Sequence, residues 1–127
     1  MTTSEKEMLS SKRVLIVDSY LGFVQAVTRI LQNIDYNVLF AENMAKFLEK
    51  ITEPKPNLVI LDIETDAGKE VLKLFLPEGR CFEIPLITVS NSEIDFGVLG
   101  CESLINHVHF VKPVDRDALR QAVHRLS

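Results

Sequence analysis

The stretch LVILD at residues 58–62 decides the predicted fold, because four consecutive apolar residues end directly at Asp62. An apolar run without in/out alternation is typical of a strand that is covered on both faces, as in a parallel sheet. Four more short apolar runs lie at nearly even intervals, at residues 14–17, 38–41, 86–89 and 108–111. The chain is therefore predicted to contain five strands.

The segments between and after these runs carry the periodicity of amphipathic helices. Their apolar stripes are Leu21, Val24, Val27, Leu31 and Ile34; Met44, Phe47, Leu48 and Ile51; Val71, Leu72 and Phe75; Ile94, Val98, Leu99 and Cys101; and Leu119, Ala122, Val123 and Leu126. The third helix is expected to stop near Pro77 and Gly79, and Asp115 is positioned to cap the fifth.

Strands and helices that alternate five times indicate a doubly wound α/β sandwich, with a five-stranded parallel sheet and five helices. Right-handed crossovers leave few strand orders, and we expect the flavodoxin-like order 2-1-3-4-5. In such sheets ligands bind outside the carboxyl ends of the strands, at the switch between strands 1 and 3. Candidate functional residues therefore lie directly after each strand.

Length and composition bound the class of protein. The chain has 127 residues, which fits one domain, and its 46% hydrophobic and 25% charged residues are typical of a globular protein. The formal charge of -4, with Lys and Arg scattered, argues against a nucleic-acid or membrane surface as the main partner. No apolar stretch approaches the about 20 residues of a membrane-spanning helix.

Residues 1–11 are polar and lack the apolar region of a signal peptide. We expect a loose leader there, followed by one domain at residues 12–127 and no output domain, so that any output passes through a partner or a segment absent from this chain. Cys81 and Cys101 are too few for a disulfide scaffold and lack metal-binding spacing. A reducing, cytoplasmic location is therefore expected.

Polar residues follow four of the predicted strands, and the fold would bring them to one crevice. They are Asp18, Asp62, Ser90 and Lys112. Each has a structural alternative when taken alone: a helix cap for Asp18, a turn residue for Ser90 and a solvated turn for Lys112-Pro113. Taken jointly, two carboxylates, a hydroxyl and an ammonium group favour a functional site.

The chemistry of this set favours phosphoryl transfer. A carboxylate such as Asp62 can attack phosphorus and form an aspartyl-phosphate. Carboxylates can also hold Mg²⁺, which neutralises phosphoryl oxygens. Lys112 would pair with the phosphoryl group, and the Ser90 hydroxyl would hydrogen-bond to another of its oxygens.

Four motifs make the chain resemble a receiver domain of bacterial two-component response regulators, with the chemotaxis-regulator-like fold. They are VLIVDS, NLVILDIE, IPLITVSNS and HFVKP, in the family's order and spacing, and the resemblance runs from about Lys12 to the end. It implies that Asp62 is the phosphoacceptor, that Asp18 belongs to an acidic metal pocket, that Ser90 is the hydroxyl switch residue and that Lys112 is the phosphate-binding lysine. It also implies a cis Lys112-Pro113 peptide.

The acidic pocket departs from the family pattern. Where the family usually has a second acid, this chain has Ser19, a poorer Mg²⁺ ligand, so weaker metal binding is expected. Glu64 could compensate as a third ligand beside Asp18 and Asp62, or could simply be a solvated loop acid. The loop after Asp62 lacks the family's Met-Pro pair and is shortened.

The switch region departs as well. His109 stands where the family usually has Tyr or Phe, and it could add pH sensitivity, although a strand histidine is more often simply packed and hydrogen-bonded. Asn91 replaces a small residue after Ser90 and would crowd the phosphate entrance. A zinc site at His107 and His109 is not expected, because no third ligand is evident.

Three functions remain open. The first is a non-enzymatic phosphoacceptor that takes a phosphoryl group onto Asp62 from a histidine kinase or phosphotransfer protein and switches a face for a downstream protein target, or for a homodimer. The second is a pseudo-receiver that binds proteins independently of phosphorylation. The third, a flavodoxin-like enzyme or cofactor binder, is disfavoured because no glycine-rich phosphate loop follows strand 1.

Overall fold

The computed structural model describes residues 12–18, 21–31, 36–52, 55–81, 83–93, 104 and 106–127. The predicted leader at residues 1–11 lies outside this part of the chain, as do Ser19 and Cys101. Five strands form one sheet: β1 (Lys12–Val17), β2 (Tyr36–Ala41), β3 (Leu58–Asp62), β4 (Leu86–Ser90) and β5 (His107–Val111). Each coincides with a predicted strand.

The strand order is β2-β1-β3-β4-β5, which confirms the predicted topology. All four neighbouring pairs are parallel. The register places Val17 of β1 beside Leu61 of β3, and Ser90 of β4 beside Val111 of β5. The carboxyl ends of these strands therefore meet at one edge of the sheet.

The described residues contain four α-helices: α1 (Leu21–Leu31), α2 (Met44–Lys50), α3 (Asp66–Leu72) and α4 (Arg116–Leu126). A short 3-10 helix, Lys73–Phe75, continues α3 and ends just before Pro77, as predicted. The predicted helix around Ile94, Val98 and Leu99 lies outside the described residues. Asp115 caps α4, because its Oδ2 atom accepts the Ala118 N–H at 2.8 Å.

Alternate residues of the strands feed two separate cores, one on each face of the sheet. Leu15 and Val59 pack with Phe47 of α2 and Val71 of α3 on one face. On the other face, Ile16, Val24 of α1 and Leu119 of α4 belong to the second core. Successive side chains of a strand point to opposite faces, so a strand between two cores needs apolar residues at every position.

No helix within the described ranges is long and apolar enough to cross a membrane.

Candidate functional site

Four polar side chains stand at the carboxyl edge of the sheet, as predicted. Asp62 is the last residue of β3 and only 1% exposed, and Ser90 is the last residue of β4 and fully buried. Asp18 directly follows β1 and is also buried. Lys112 directly follows β5, and its backbone N–H donates to the Ser90 carbonyl at 2.8 Å.

Asp62 and Lys112 form an ion pair at the centre of this edge. The Lys112 Nζ atom donates to Asp62 Oδ2 at 2.6 Å, and the lysine side chain remains 30% exposed. The other carboxylate oxygen, Oδ1, accepts the backbone N–H of Glu64 at 3.0 Å. Both oxygens of a nearly buried carboxylate thus have donors, which is the condition for keeping a charge in a protein interior.

The N-terminus of α3 is fastened to the backbone of Asp62. Thr65 caps the helix by accepting the Gly68 N–H at 3.0 Å, and its hydroxyl donates to the Asp62 carbonyl oxygen at 2.8 Å. Gly68 lies so close that a Cβ atom there would be 2.0 Å from the same carbonyl oxygen. The start of α3 therefore lies directly against the last residue of β3.

Lys112 has a second contact that the sequence reasoning missed. Its Nζ atom lies 4.8 Å from the ring centroid of Phe23 in α1, which is within cation–π distance. The sequence signal that could have indicated this contact is an aromatic residue in the first turn of the helix after β1. The Lys112-Pro113 peptide is cis, as the resemblance implied.

Ser90 is hydrogen-bonded to His109. The sequence places both residues in the switch region but does not predict this contact. Ser90 Oγ lies 2.9 Å from His109 Nε2, and the hydroxyl also donates to the Ser92 carbonyl. His109 Nδ1 lies 2.7 Å from Thr88 Oγ1, and His107 Nε2 lies 2.7 Å from the same hydroxyl. The expectation of a packed, hydrogen-bonded histidine is confirmed, and Thr88 is a site residue that the sequence reasoning missed.

The pKa values of both histidines are lowered, which favours the neutral imidazole. Burial, and then the charge of His109, lowers the pKa of His107 to about 4. Burial also lowers the pKa of His109, against the opposing effects of Glu93 and of the Ser92 and Thr88 carbonyls. At neutral pH each imidazole is therefore expected to carry a single N–H.

Glu64 bridges two loops. Its Oε1 atom accepts the backbone N–H of Asn91 at 3.0 Å, which ties the loop after β3 to the loop after β4. Within the described residues no group of three or more His, Cys, Asp or Glu side chains could hold a metal ion. Asp18, Asp62 and Glu64, predicted as metal ligands, do not form such a group in this arrangement.

Comparison with known proteins adds to this geometry. A family model described as the response regulator receiver domain matches residues 14–124. The sporulation initiation phosphotransferase F of Bacillus subtilis is 27% identical over 119 residues, which cover 92% of this chain and 94% of that protein. The alkaline phosphatase synthesis transcriptional regulatory protein PhoP of Bacillus subtilis is 31% identical over 94 residues, which are 72% of this chain and 39% of that protein.

Solved structures show the same fold. The chemotaxis protein CheY4 of Vibrio cholerae superposes with a TM-score of 0.77 at 20% sequence identity, and the match covers 93% of this chain and all of that one. A response regulator receiver domain protein from Methanospirillum hungatei gives a TM-score of 0.72 at 25% identity, covering 91% of this chain and 93% of the other.

Proposed function

The chain belongs to the response regulator receiver domain family, and from this membership we propose that it accepts a phosphoryl group on Asp62 from a histidine kinase or a phosphotransfer protein. A phosphorylated domain would then bind a downstream protein target differently from the unmodified one. The role is regulatory: no separate substrate is turned over.

The ion pair between Asp62 and Lys112 is the observation that carries the proposal. An Asp62 carboxylate oxygen forms the new O–P bond, while the bond from phosphorus to the donor's histidine nitrogen breaks and its electron pair returns to that nitrogen. Lys112, already 2.6 Å from Oδ2, can follow the negative charge onto a phosphoryl oxygen. The Ser90 hydroxyl would hydrogen-bond to another phosphoryl oxygen. Ser90 is close enough in the sheet, because it directly follows Val89, the β4 residue paired with Asp62.

The donor set suits Mg²⁺, which the family implies. Asp18 follows β1 and Asp62 is the last residue of the neighbouring strand β3, and both carboxylates are buried. Mg²⁺ prefers hard oxygen ligands such as these. When bound, Mg²⁺ would neutralise charge on the phosphoryl oxygens. Asp18 and Asp62 would be its ligands, and Glu64 would join them only by giving up its hydrogen bond to Asn91. Binding weaker than in a pocket with three carboxylates is expected.

The remaining expectations on partners and location stay part of this proposal. A net charge of -4 with scattered basic residues disfavours direct binding to nucleic acid or to a membrane surface. A protein target, or a second copy of the chain in a homodimer, fits a switch domain of this kind. The cytoplasm is where a histidine kinase would meet such a domain.

The test is phosphorylation in solution. The full chain is incubated with Mg²⁺ and phosphoramidate, and the intact mass is measured against time. We expect a gain of one phosphoryl group in the wild type and in Asp66→Asn, which removes a nearby exposed carboxylate, and no gain in Asp62→Asn. A folded wild-type protein that gains no mass at high donor and Mg²⁺ would favour the pseudo-receiver instead.

A further inference from the structure

We propose that Thr88 and His109 are positioning residues for Ser90, because a hydrogen-bond chain of fixed direction from His107 to Ser92 sets where the Ser90 hydroxyl proton points. The inference rests on the proposed function, since it concerns the hydroxyl that would meet the phosphoryl group on Asp62. Its structural part, the direction of the chain, can be tested without any phosphorylation.

The direction follows from which atoms can donate. The Ser92 carbonyl can only accept, so the single Ser90 hydroxyl proton points to it. The Ser90 oxygen is then free to accept from His109 across the 2.9 Å contact, which favours the N–H of that ring on Nε2. The Thr88 carbonyl, which also attracts a proton on this ring, is the acceptor that would favour the other tautomer.

The second half of the chain follows in the same way. A neutral imidazole has one N–H, and burial keeps His109 toward the neutral form, so its Nδ1 atom accepts from the Thr88 hydroxyl at 2.7 Å. The Thr88 oxygen in turn accepts from His107 Nε2, also at 2.7 Å. Within this chain each hydroxyl then donates once and accepts once.

Burial makes this arrangement hard to replace. Thr88 and Ser90 are both fully buried, so neither hydroxyl can turn to water if its partner is lost. Both residues lie on β4 and both histidines on β5, and the register sets Thr88 beside His109 and Ser90 beside Val111. The chain is therefore held between two paired strands of the sheet, where buried polar groups are oriented by their partners.

The chain adds a proton direction to the hydroxyl switch that the family resemblance already implies at Ser90. When a phosphoryl oxygen arrives beside Ser90, the hydroxyl proton can turn from the Ser92 carbonyl to that oxygen, while the Ser90 oxygen keeps the N–H of His109. The Ser92 carbonyl then loses a donor. The same loop holds Asn91, whose N–H donates to Glu64, so the carbonyl that changes lies next to the link between the two loops.

The direct test is nitrogen NMR of the histidine side chains in the full, unphosphorylated chain at neutral pH. We expect a protonated Nε2 and an unprotonated Nδ1 in His109. Thr88→Val removes the donor to Nδ1 and is expected to shift the ring toward a mixture of tautomers, whereas Thr88→Ser restores the wild-type signals. Thr28→Val is the control: it removes a threonine hydroxyl that donates to the Val24 carbonyl within α1, and it should change nothing at His109.

A rate measurement tests the functional part. With phosphoramidate and Mg²⁺, Thr88→Val is expected to lower the rate constant of phosphorylation about fivefold, the factor that one lost hydrogen bond carries, and Thr88→Ser to recover it. A protonated Nδ1 in wild-type His109, or an unchanged tautomer and rate in folded Thr88→Val, would overturn the inference. Failure of the wild type to accept a phosphoryl group would overturn the proposed function and leave the tautomer result standing.

Discussion

The Nζ atom of Lys112 lies 2.6 Å from Oδ2 of Asp62, although the two residues are 50 positions apart in the chain and β4 runs between their strands. The lysine follows β5 and reaches over the end of β4 to the end of β3. Its backbone is fixed there by the hydrogen bond from its N–H to the Ser90 carbonyl. The buried carboxylate is thus neutralised by a cation that remains partly in water.

This pair should show energetic coupling. Lys112→Met leaves the Asp62 carboxylate buried without its cation, and we expect a loss of about 1–2 kcal/mol in the free energy of unfolding, allowing for the exposure of the lysine. Asp62→Asn in the same chain should remove most of that loss, because no buried charge remains. Urea unfolding of the four proteins in the cycle gives the coupling energy.

The control for this cycle is the exposed pair Lys46 and Glu49, whose Nζ and Oε2 atoms lie 3.7 Å apart on α2. Lys46→Met should change the free energy of unfolding by less than about 0.5 kcal/mol. Strict additivity of Lys112→Met and Asp62→Asn would show that the ion pair contributes nothing to the folded state.

Gly68→Ala should disturb the site from inside α3. The added Cβ would meet the Asp62 carbonyl oxygen at 2.0 Å, so either the helix or the end of β3 must move. We expect a loss of about 1–3 kcal/mol in the free energy of unfolding, as for other overpacked positions. Gly22→Ala in α1 is the matched control, because no atom lies within 4 Å of its added methyl group, and it should be neutral or stabilising. Equal stability of the two variants in urea would contradict the close approach.

Glu64→Ala should loosen the loop after β4. Without the carboxylate, the Asn91 N–H loses its acceptor, and we expect amide hydrogen exchange at Asn91 to rise about fivefold. Glu64→Gln keeps an acceptor oxygen and should keep most of the protection. Unchanged exchange at Asn91 in Glu64→Ala would mean that the two loops are not linked through this side chain.

His107 makes the stability of the fold depend on acidity. Its pKa is about 4 in the folded chain and near 6.5 when unfolded, so the unfolded chain binds more protons between these values and stability falls as the pH drops from about 6.5 toward 4. His107→Gln should reduce that fall by about 1 kcal/mol between pH 7 and pH 5, after a discount for partial exposure. The measurement is the difference between wild type and variant in urea unfolding at both pH values, and an identical pH dependence would contradict the burial of the neutral ring.

The strands and the strand order could be predicted from the sequence because the strands are covered on both faces. A strand between two cores must be apolar at consecutive positions, so LVIL at residues 58–61 could be recognised locally, and the parallel order then brought Asp62, Ser90 and Lys112 to one edge. Thr88 was missed because its partners lie on β5 and depend on the register of that pair. For Glu64 the sequence leaves a metal ligand and a solvated loop acid as alternatives, because nothing in a loop sequence indicates that its carboxylate faces the Asn91 N–H.

The central claim is that Asp62 carries the phosphoryl group, and chemical mapping of the modified residue tests it most directly. The full chain is phosphorylated with phosphoramidate and Mg²⁺, reduced with borohydride, which converts an aspartyl-phosphate to homoserine, and digested for peptide sequencing by mass spectrometry. We expect homoserine at position 62 and unmodified aspartate at positions 18 and 66. Homoserine at another aspartate, with position 62 unchanged, would contradict it.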